Sequence, residues 1–478
     1  MQFTREIRYL LIGLLLAFGA VAIVSSYWVI RRDRLLLRED NPRLVEQTLR
    51  IQRGGIYDRD GEGVALTNTL SSGRVSRVYP YPAMNSAIGY YSVRYGEGGA
   101  ESAYNSVLSG SSTIDDLETW FEREVLHIPQ QGADIQLTVD LEVQQAAFDA
   151  LGDQKGAVVL VSAQDGAIRA LVSSPTFDPN QLDAQWADLI QDSGEPFFNR
   201  ALQGNYQPGT TIYGLLVLAA LVEQFPVEMS FSDASRDIDL GDMTLSCIIE
   251  PPADTLTLFD AFTYGCPAPF ADFIDLLGYE AVGEMLKLIR PDTPPTLAGF
   301  VNTNPQDTRQ PASTAPITTT PLGETFGQGQ FRTTPLEMAL IVASFINNGN
   351  APAPYILHAN RPDADSEWQI VREMRGAIPI TTPENARRIT ALFRQNVVRG
   401  TARAAYQEGF DLGGQVGLSY AGERTFTWFI GFGRLETLEG YAIAVILEDN
   451  DDLDLAANIG SQVLLTALDQ IPVTAPTD

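Results

Sequence analysis

The sequence predicts an α/β (α+β) body behind an N-terminal transmembrane helix, on three observations. Tyr9 to Ile30 is an uncharged run of 22 residues, YLLIGLLLAFGAVAIVSSYWVI. Ala157–Ser162 and Ala167–Ser173 are apolar segments joined by Asp165-Gly166, the pattern of a β-hairpin. Ile212–Phe225 (IYGLLVLAALVEQF) is apolar on nearly every face, as a helix buried on all sides must be.

Taken in order, the elements fill in that outline. At 1.5 Å per helical residue the Tyr9–Ile30 run covers roughly the 30 Å of a bilayer's hydrocarbon. Tyr9, Tyr27 and Trp28 stand where interfacial aromatics belong. A cleaved signal peptide is the competing reading, with Ala20-Val21-Ala22 as its small-x-small site. That triplet lies inside the apolar run, so an uncleaved anchor is expected. Arg5 and Arg8 precede the run while Arg31, Arg32 and Arg34 follow it, so charge alone does not choose an orientation. Residues 31–52 are charged and helix-compatible, a stalk, and residues 53–135 read as a small β-containing region rich in Gly, Tyr and Ser. Gln136–Asp140 alternates like a strand, and Leu141–Leu151 reads as a helix. Pro208-Gly209 delivers the chain to the Ile212–Phe225 helix, with Thr210 or Thr211 expected as its N-cap. Leu336–Asn347 is a further helix, Phe426–Phe432 and Tyr441–Leu447 are buried strands, and Ala456–Leu468 is a closing helix.

Composition excludes several function classes. A net charge of −28 over 478 residues would repel phosphate, so no nucleic-acid partner is expected. Two histidines, His127 and His358, and two cysteines, Cys247 and Cys266, leave little for a metal centre, and no cofactor is expected. The acids Glu448, Asp449, Asp451, Asp452 and Asp454 lack the turn glycine and terminal glutamate of a calcium loop and read as a solvated turn. The basic residues are lopsided. Lys155 and Lys287 are the two lysines in the chain.

A set of motifs then points to a family. Arg53-Gly54-Gly55-Ile56-Tyr57-Asp58-Arg59-Asp60-Gly61 resembles the R-G-x-I-x-D-R-x-G segment that opens the extracytoplasmic part of class B penicillin-binding proteins. Tyr79-Pro80, Gly89-Tyr90, Tyr95-Gly96, Gly99 and Glu101 look like the stretch that follows it. Leu137-Thr138-Val139-Asp140 with Gln144, and Gly156-Ala157 through Ser173, Pro175 and Phe177-Asp178-Pro179-Asn180, resemble the start of its transpeptidase domain. Asn199-Arg200-Ala201, Tyr206-x-Pro208-Gly209, Gly327-Gln328-Gly329 with Thr334-Pro335, Arg399-Gly400-Thr401-Ala402 and Trp428–Phe432 continue the match in order. The resemblance covers essentially the whole chain. It implies residues 1–8 as a cytoplasmic tail, 9–30 as a signal anchor, 31–135 as a pedestal or dimerisation-like region, and 136–472 as a penicillin-binding transpeptidase-like domain with a central sheet and flanking helices. It places the body outside the cytoplasm on a single-pass membrane anchor, where Cys247 and Cys266 are expected to form a disulfide. The implied reaction is acyl transfer on the D-Ala-D-Ala end of peptidoglycan stem peptides.

That chemistry needs a serine at a helix start and a lysine three residues on, a Ser-x-Asn on a neighbouring loop, a Lys-Thr/Ser-Gly on a core strand, and backbone N–H groups as an oxyanion hole. The first motif falls on Thr210-Thr211-Ile212-Tyr213, with Thr210 at the nucleophile position and Tyr213 at the lysine position. The second falls on Gly265-Cys266-Pro267, with Gly265 for the serine and Pro267 for the asparagine. The third falls on Gln415-Val416-Gly417-Leu418, with Gln415 for the lysine and Gly417 retained. Gly152 precedes Lys155 by three residues and Glu284 so precedes Lys287, so no Ser/Thr-x-x-Lys exists anywhere in the chain. The expectation is a catalytically inactive scaffold or regulator of cell-wall synthesis or division, partnered by a polytopic membrane glycosyltransferase. Two alternatives stay open: a D,D-transpeptidase working through Thr210, and a module that binds peptidoglycan stem peptides non-covalently.

Overall fold

The structure, a computed structural model, describes residues 3–36, 49–111, 130–241, 243–289, 297, 321–329, 331–371, 376–422, 424–435 and 440–470. The chain opens on α1 (Phe3–Leu36), whose described side chains are those of residues 8–24 and Tyr27. Apolar residues such as Tyr9, Leu10, Leu16, Phe18 and Ile23 are exposed along it. Among the described residues no helix is long and apolar enough to cross a membrane, so the Tyr9–Ile30 anchor stays a proposal. Most of the expected stalk, and His127, lie outside the described residues.

Two compact units are distinguished. The smaller holds α1 with the described residues of 49–52, 68–76 and 130–131, where Val75 N–H donates to Leu49 O at 2.8 Å. The larger holds 53–67, 77–113 and everything from Gly132 onward. In chain order its elements include β1 (Ile56–Tyr57), β2 (Gly63–Thr69, whose last two residues fall in the smaller unit), β3 (Asp134–Leu137), α2 (Leu141–Leu151), β4 (Gly156–Ser162), β5 (Ile168–Ser174) and α3 (Ile212–Val222). There follow α4 (Leu258–Tyr264), α5 (Ala268–Leu277), α6 (Pro335–Ile346), β6 (Leu357–Arg361), β7 (Gln369–Ile370), α7 (Pro383–Arg399), β8 (Asp411–Ala421), β9 (Arg424–Arg434), β10 (Gly440–Glu448) and α8 (Leu453–Asp469).

The central sheet runs β8-β9-β10-β4-β5 with every neighbouring pair antiparallel. Its side chains alternate between two apolar layers, because successive residues of a strand point to opposite faces. Val158, Leu160, Val416, Ile443 and Val445 pack with α2 and α8. Val159, Val161, Trp428, Ile430, Ala444 and Ile446 pack on the other face with α3 and α6. With helices on both faces the strands are apolar throughout, which is why β4 reads as an unbroken run. The hairpin between β4 and β5 turns on Gly166 at φ +80°, where a Cβ would also lie 2.2 Å from Ala353 O. A second sheet, which includes β7-β6-β3-β1-β2 in that order, joins strands from both sides of residue 135, and β3 itself spans 134–137.

Two expectations change around α3. The helix stops at Val222 rather than Phe225, because Gln224 takes φ +56° and Pro226 disfavours helical backbone before it. Thr211 takes the N-cap position, as expected, but not with a capping side chain. A 3₁₀ turn, Gly209–Thr211, precedes the helix, and no side-chain cap forms. Thr211 Oγ1 instead donates back to Pro208 O at 2.5 Å, while Thr210 is engaged by β8. The acid-rich turn also differs from the solvated reading at one end. Asp452 caps α8 by accepting from Leu455 N–H, but Glu448 is buried. It accepts from Tyr206 OH at 2.7 Å and pairs with Arg200, Arg424 and Lys155 at 2.9, 2.9 and 3.3 Å. A carboxylate placed where β10 leaves the sheet is surrounded by cations that the linear sequence scatters. His358 lies on β6.

Candidate active site

The segment leading into α3 is held from three sides. Gln207 Nε2 donates to Gln328 O and Gly329 O at 2.8 Å each. Gln207 O accepts from Trp428 Nε1 at 2.8 Å and from Ser419 Oγ at 2.9 Å. Gly209, at φ +56°, comes so close to β8 that a Cβ there would sit 2.0 Å from Leu418 O. Gln328 in turn straddles β8, donating to Leu418 O at 3.0 Å and accepting from Tyr420 N–H at 3.1 Å. The period of β8 sends Val416 to the α8 side, so Gln415, Gly417 and Ser419 face the start of α3.

This brings the first and third motif positions together. Thr210 Oγ1 accepts from Leu418 N–H at 3.0 Å, its one hydrogen-bond partner among the described residues. Gln415 Nε2 donates to Thr210 O at 2.9 Å, and its Oε1, in a residue 2% exposed, has no partner among the described residues. Gly417 allows the contact, since a Cβ there would lie 2.5 Å from Thr211 N and 2.9 Å from Thr210 Oγ1. Where a base should stand, Tyr213 is 1% exposed, stacked on Phe270 at 4.5 Å with Phe326 edge-on at 5.7 Å. Its hydroxyl has no partner among the described residues. Burial pushes that hydroxyl well above the ordinary tyrosine value, so it neither ionises nor serves as a base near neutral pH.

The second motif approaches through a different residue. Gly265 ends α4 in the left-handed conformation, φ +67°, with Ile248 filling the space where a side chain would go. Cys266 is buried and bonded to Cys247, with Sγ atoms 2.08 Å apart. Pro267 occupies the N-cap of α5 and offers no donor. It is Phe270, one turn on, that reaches Tyr213. Phe270 and Phe326 carry no sequence signal of this contact, since nothing in an apolar residue marks which side chain it will bury. Lys155 is tied to Glu448, and Lys287 lies in the helix Tyr279–Ile289 with its side chain outside the described residues.

The Arg53 motif closes a buried ion cluster. Glu101 accepts from Arg53 Nε at 2.6 Å and from Arg77 Nε at 2.7 Å. Burial alone would raise its carboxyl, and the two guanidinium groups outweigh that and hold it below the usual range.

A nucleophile position at the start of a buried helix, facing a glycine-bearing edge strand of an antiparallel five-stranded sheet, defines the penicillin-recognising acyl-transfer class. Residues 156–465 match the penicillin binding protein transpeptidase domain, and residues 53–134 match the penicillin binding protein A dimerisation domain. The chain belongs to the class B penicillin-binding proteins. Peptidoglycan D,D-transpeptidase PbpA of Mycolicibacterium smegmatis is 28% identical over 514 aligned residues, covering 96% of each chain. Peptidoglycan D,D-transpeptidase MrdA of Acinetobacter baumannii is 25% identical over 77% of this chain and 59% of its own. The structure of penicillin-binding protein A from M. tuberculosis as an imipenem acyl-enzyme superposes with a TM-score of 0.75 at 26% identity, over 88% of this chain and 99% of that one.

Proposed function

We propose that this chain is a non-catalytic class B penicillin-binding protein, a membrane-anchored scaffold or regulator of peptidoglycan synthesis or division. The observation that carries this reading is the environment of Thr210. Its hydroxyl must lose a proton to attack an acyl carbon, and the position one turn along the helix holds a phenol sealed between Phe270 and Phe326. Gln415 brings an amide, already engaged by Thr210 O, where the family places a cation. Removing members of such a catalytic unit costs about 10⁴–10⁶ in rate. The frame around the site is nevertheless intact, with Gln207, Gln328 and Trp428 all engaged, which suits a protein whose fold is used for docking. The exposed apolar side chains of α1 support the Tyr9–Ile30 anchor, and the Cys247–Cys266 bridge supports an oxidising compartment outside the cytoplasm. A polytopic membrane glycosyltransferase is the proposed partner.

A second reading, transpeptidation through Thr210, draws on one observation: Leu418 N–H stands 3.0 Å from Thr210 Oγ1, where an oxyanion donor is useful. Intact-protein mass spectrometry after incubation with benzylpenicillin separates the two. No covalent adduct is expected, whereas a gain of one drug mass that disappears in Thr210→Ala would establish the enzyme. If no adduct forms, calorimetry with D-Ala-D-Ala peptides tests whether the cleft holds them non-covalently.

A further inference from the structure

A cavity of about 330 Å³ lies away from Thr210, lined by Asn85, Tyr90 and Glu97 of the dimerisation-type region and by Phe177, Phe197 and Gln203 of the transpeptidase-type region. Its aromatic wall is continuous. The Tyr90 ring meets Phe177 and Phe197 at 5.7 Å each, and Phe177 meets Phe197 at 4.7 Å. Trp186 backs Phe197 at 5.2 Å and is itself stacked on Tyr95 at 4.3 Å.

Two acceptors belong to residues of the lining. Asn85 is 4% exposed, and its Nδ2 donates to Thr176 Oγ1 at 2.6 Å and to Phe177 O at 2.8 Å. A carbonyl can only accept, so the amide orientation is settled and Oδ1 is the free end. That oxygen has no partner among the described residues and is closed to solvent, so a ligand in the cavity does not reach it. The Glu97 carboxylate accepts no hydrogen bond among the described residues. Its nearest cation, Arg53 Nη2, stays at 3.6 Å, because the Arg53 N–H groups are directed to Glu101 and Asn105. Desolvation, the largest influence, raises the Glu97 carboxyl, and Arg53 only partly opposes it.

A partly exposed carboxylate that accepts no hydrogen bond among the described residues, beside three aromatic rings, forms a site for a cation with N–H donors. Ring faces attract cations through their quadrupole, and a partly desolvated carboxylate adds a charge-assisted hydrogen bond. An anion would be repelled by Glu97, and the chain's net charge of −28 enriches cations around it. We propose that this cavity binds a small organic cation, an ammonium or amidinium group, through Glu97, with its apolar part against Tyr90, Phe177 and Phe197. Such a ligand would touch both family-matched regions at once. The proposal stands independently of whether Thr210 is reactive.

Calorimetric titration of the full-length chain with benzamidine, its neutral counterpart benzamide, and benzoate tests the idea. Benzamidine is expected to bind at least about tenfold more tightly than benzamide, and benzoate not at all. Glu97→Gln should weaken benzamidine about tenfold or more while moving the melting temperature little, since this carboxylate accepts no hydrogen bond among the described residues and its 3.6 Å ion pair with Arg53 is partly exposed. Phe197→Leu, which keeps an apolar side chain, should weaken benzamidine severalfold by removing a ring face. Equal affinities for benzamidine and benzamide, an unchanged affinity in Glu97→Gln, or no heat with any of the three compounds would each overturn the proposal.

Discussion

Tyr213→Phe isolates the most unusual atom of the site. The substitution keeps the ring, its stacking on Phe270 at 4.5 Å and its burial, and removes only a hydroxyl with no partner among the described residues. A buried hydroxyl left unsatisfied costs about 1–3 kcal/mol, and the dispersion lost with one oxygen atom is a few tenths. The variant should therefore be more stable by about 1 kcal/mol, a rise of about 1–2 °C in Tm for a unit of this size. Tyr213→Lys probes the same space in the opposite sense. It forfeits about 2 kcal/mol of ring burial and places an ammonium among Phe270 and Phe326, costing several kcal/mol more unless the lysine deprotonates. Thermal unfolding of the three proteins at pH 7, each checked for benzylpenicillin acylation, gives the answer. If Tyr213→Phe were less stable than wild type by about 1 kcal/mol, the hydroxyl would have a partner and the sealed-site argument would fail. It would fail too if Tyr213→Lys kept its Tm and became acylated.

Three further outcomes follow from the same structure. Burial raises the Glu448 carboxyl, but Arg200, the Tyr206 hydroxyl, Lys155 and Arg424 together hold it below its ordinary value. Its stabilisation is thus complete above the unfolded pKa of about 4.3 and is lost as pH falls through the lower folded value. Glu448→Gln should cost about 3–5 kcal/mol in urea unfolding at pH 7, and an unchanged midpoint would show that the buried cluster is not structural. Denatured, unreduced protein should take up no thiol label, and reducing the 19-residue Cys247–Cys266 loop should cost about 3 kcal/mol; two labels per chain would rule the bridge out. The mature protein should retain residues 1–30 if the proposed anchor holds, and an N-terminus near Ile23 would instead indicate a cleaved leader.

Much of the fold was legible in the residues because its cues are local. Apolar length and period located β4, β5, α3, β9, β10 and α8, and Asp165-Gly166 located a turn, since a strand or helix declares its buried face through its own spacing. The loss of the lysine motifs was equally legible, because two lysines can be checked one at a time. What replaced the lysine was not. That Tyr213 would be sealed by Phe270 and Phe326, that Thr210 would accept from Leu418 N–H instead of capping its helix, and that Glu448 would collect Arg200, Lys155 and Arg424 depend on residues tens to hundreds of positions apart. Such contacts leave no period in the sequence. Burial and electrostatic environment belong to the assembled layers, and only the tertiary structure decides which side chain meets which.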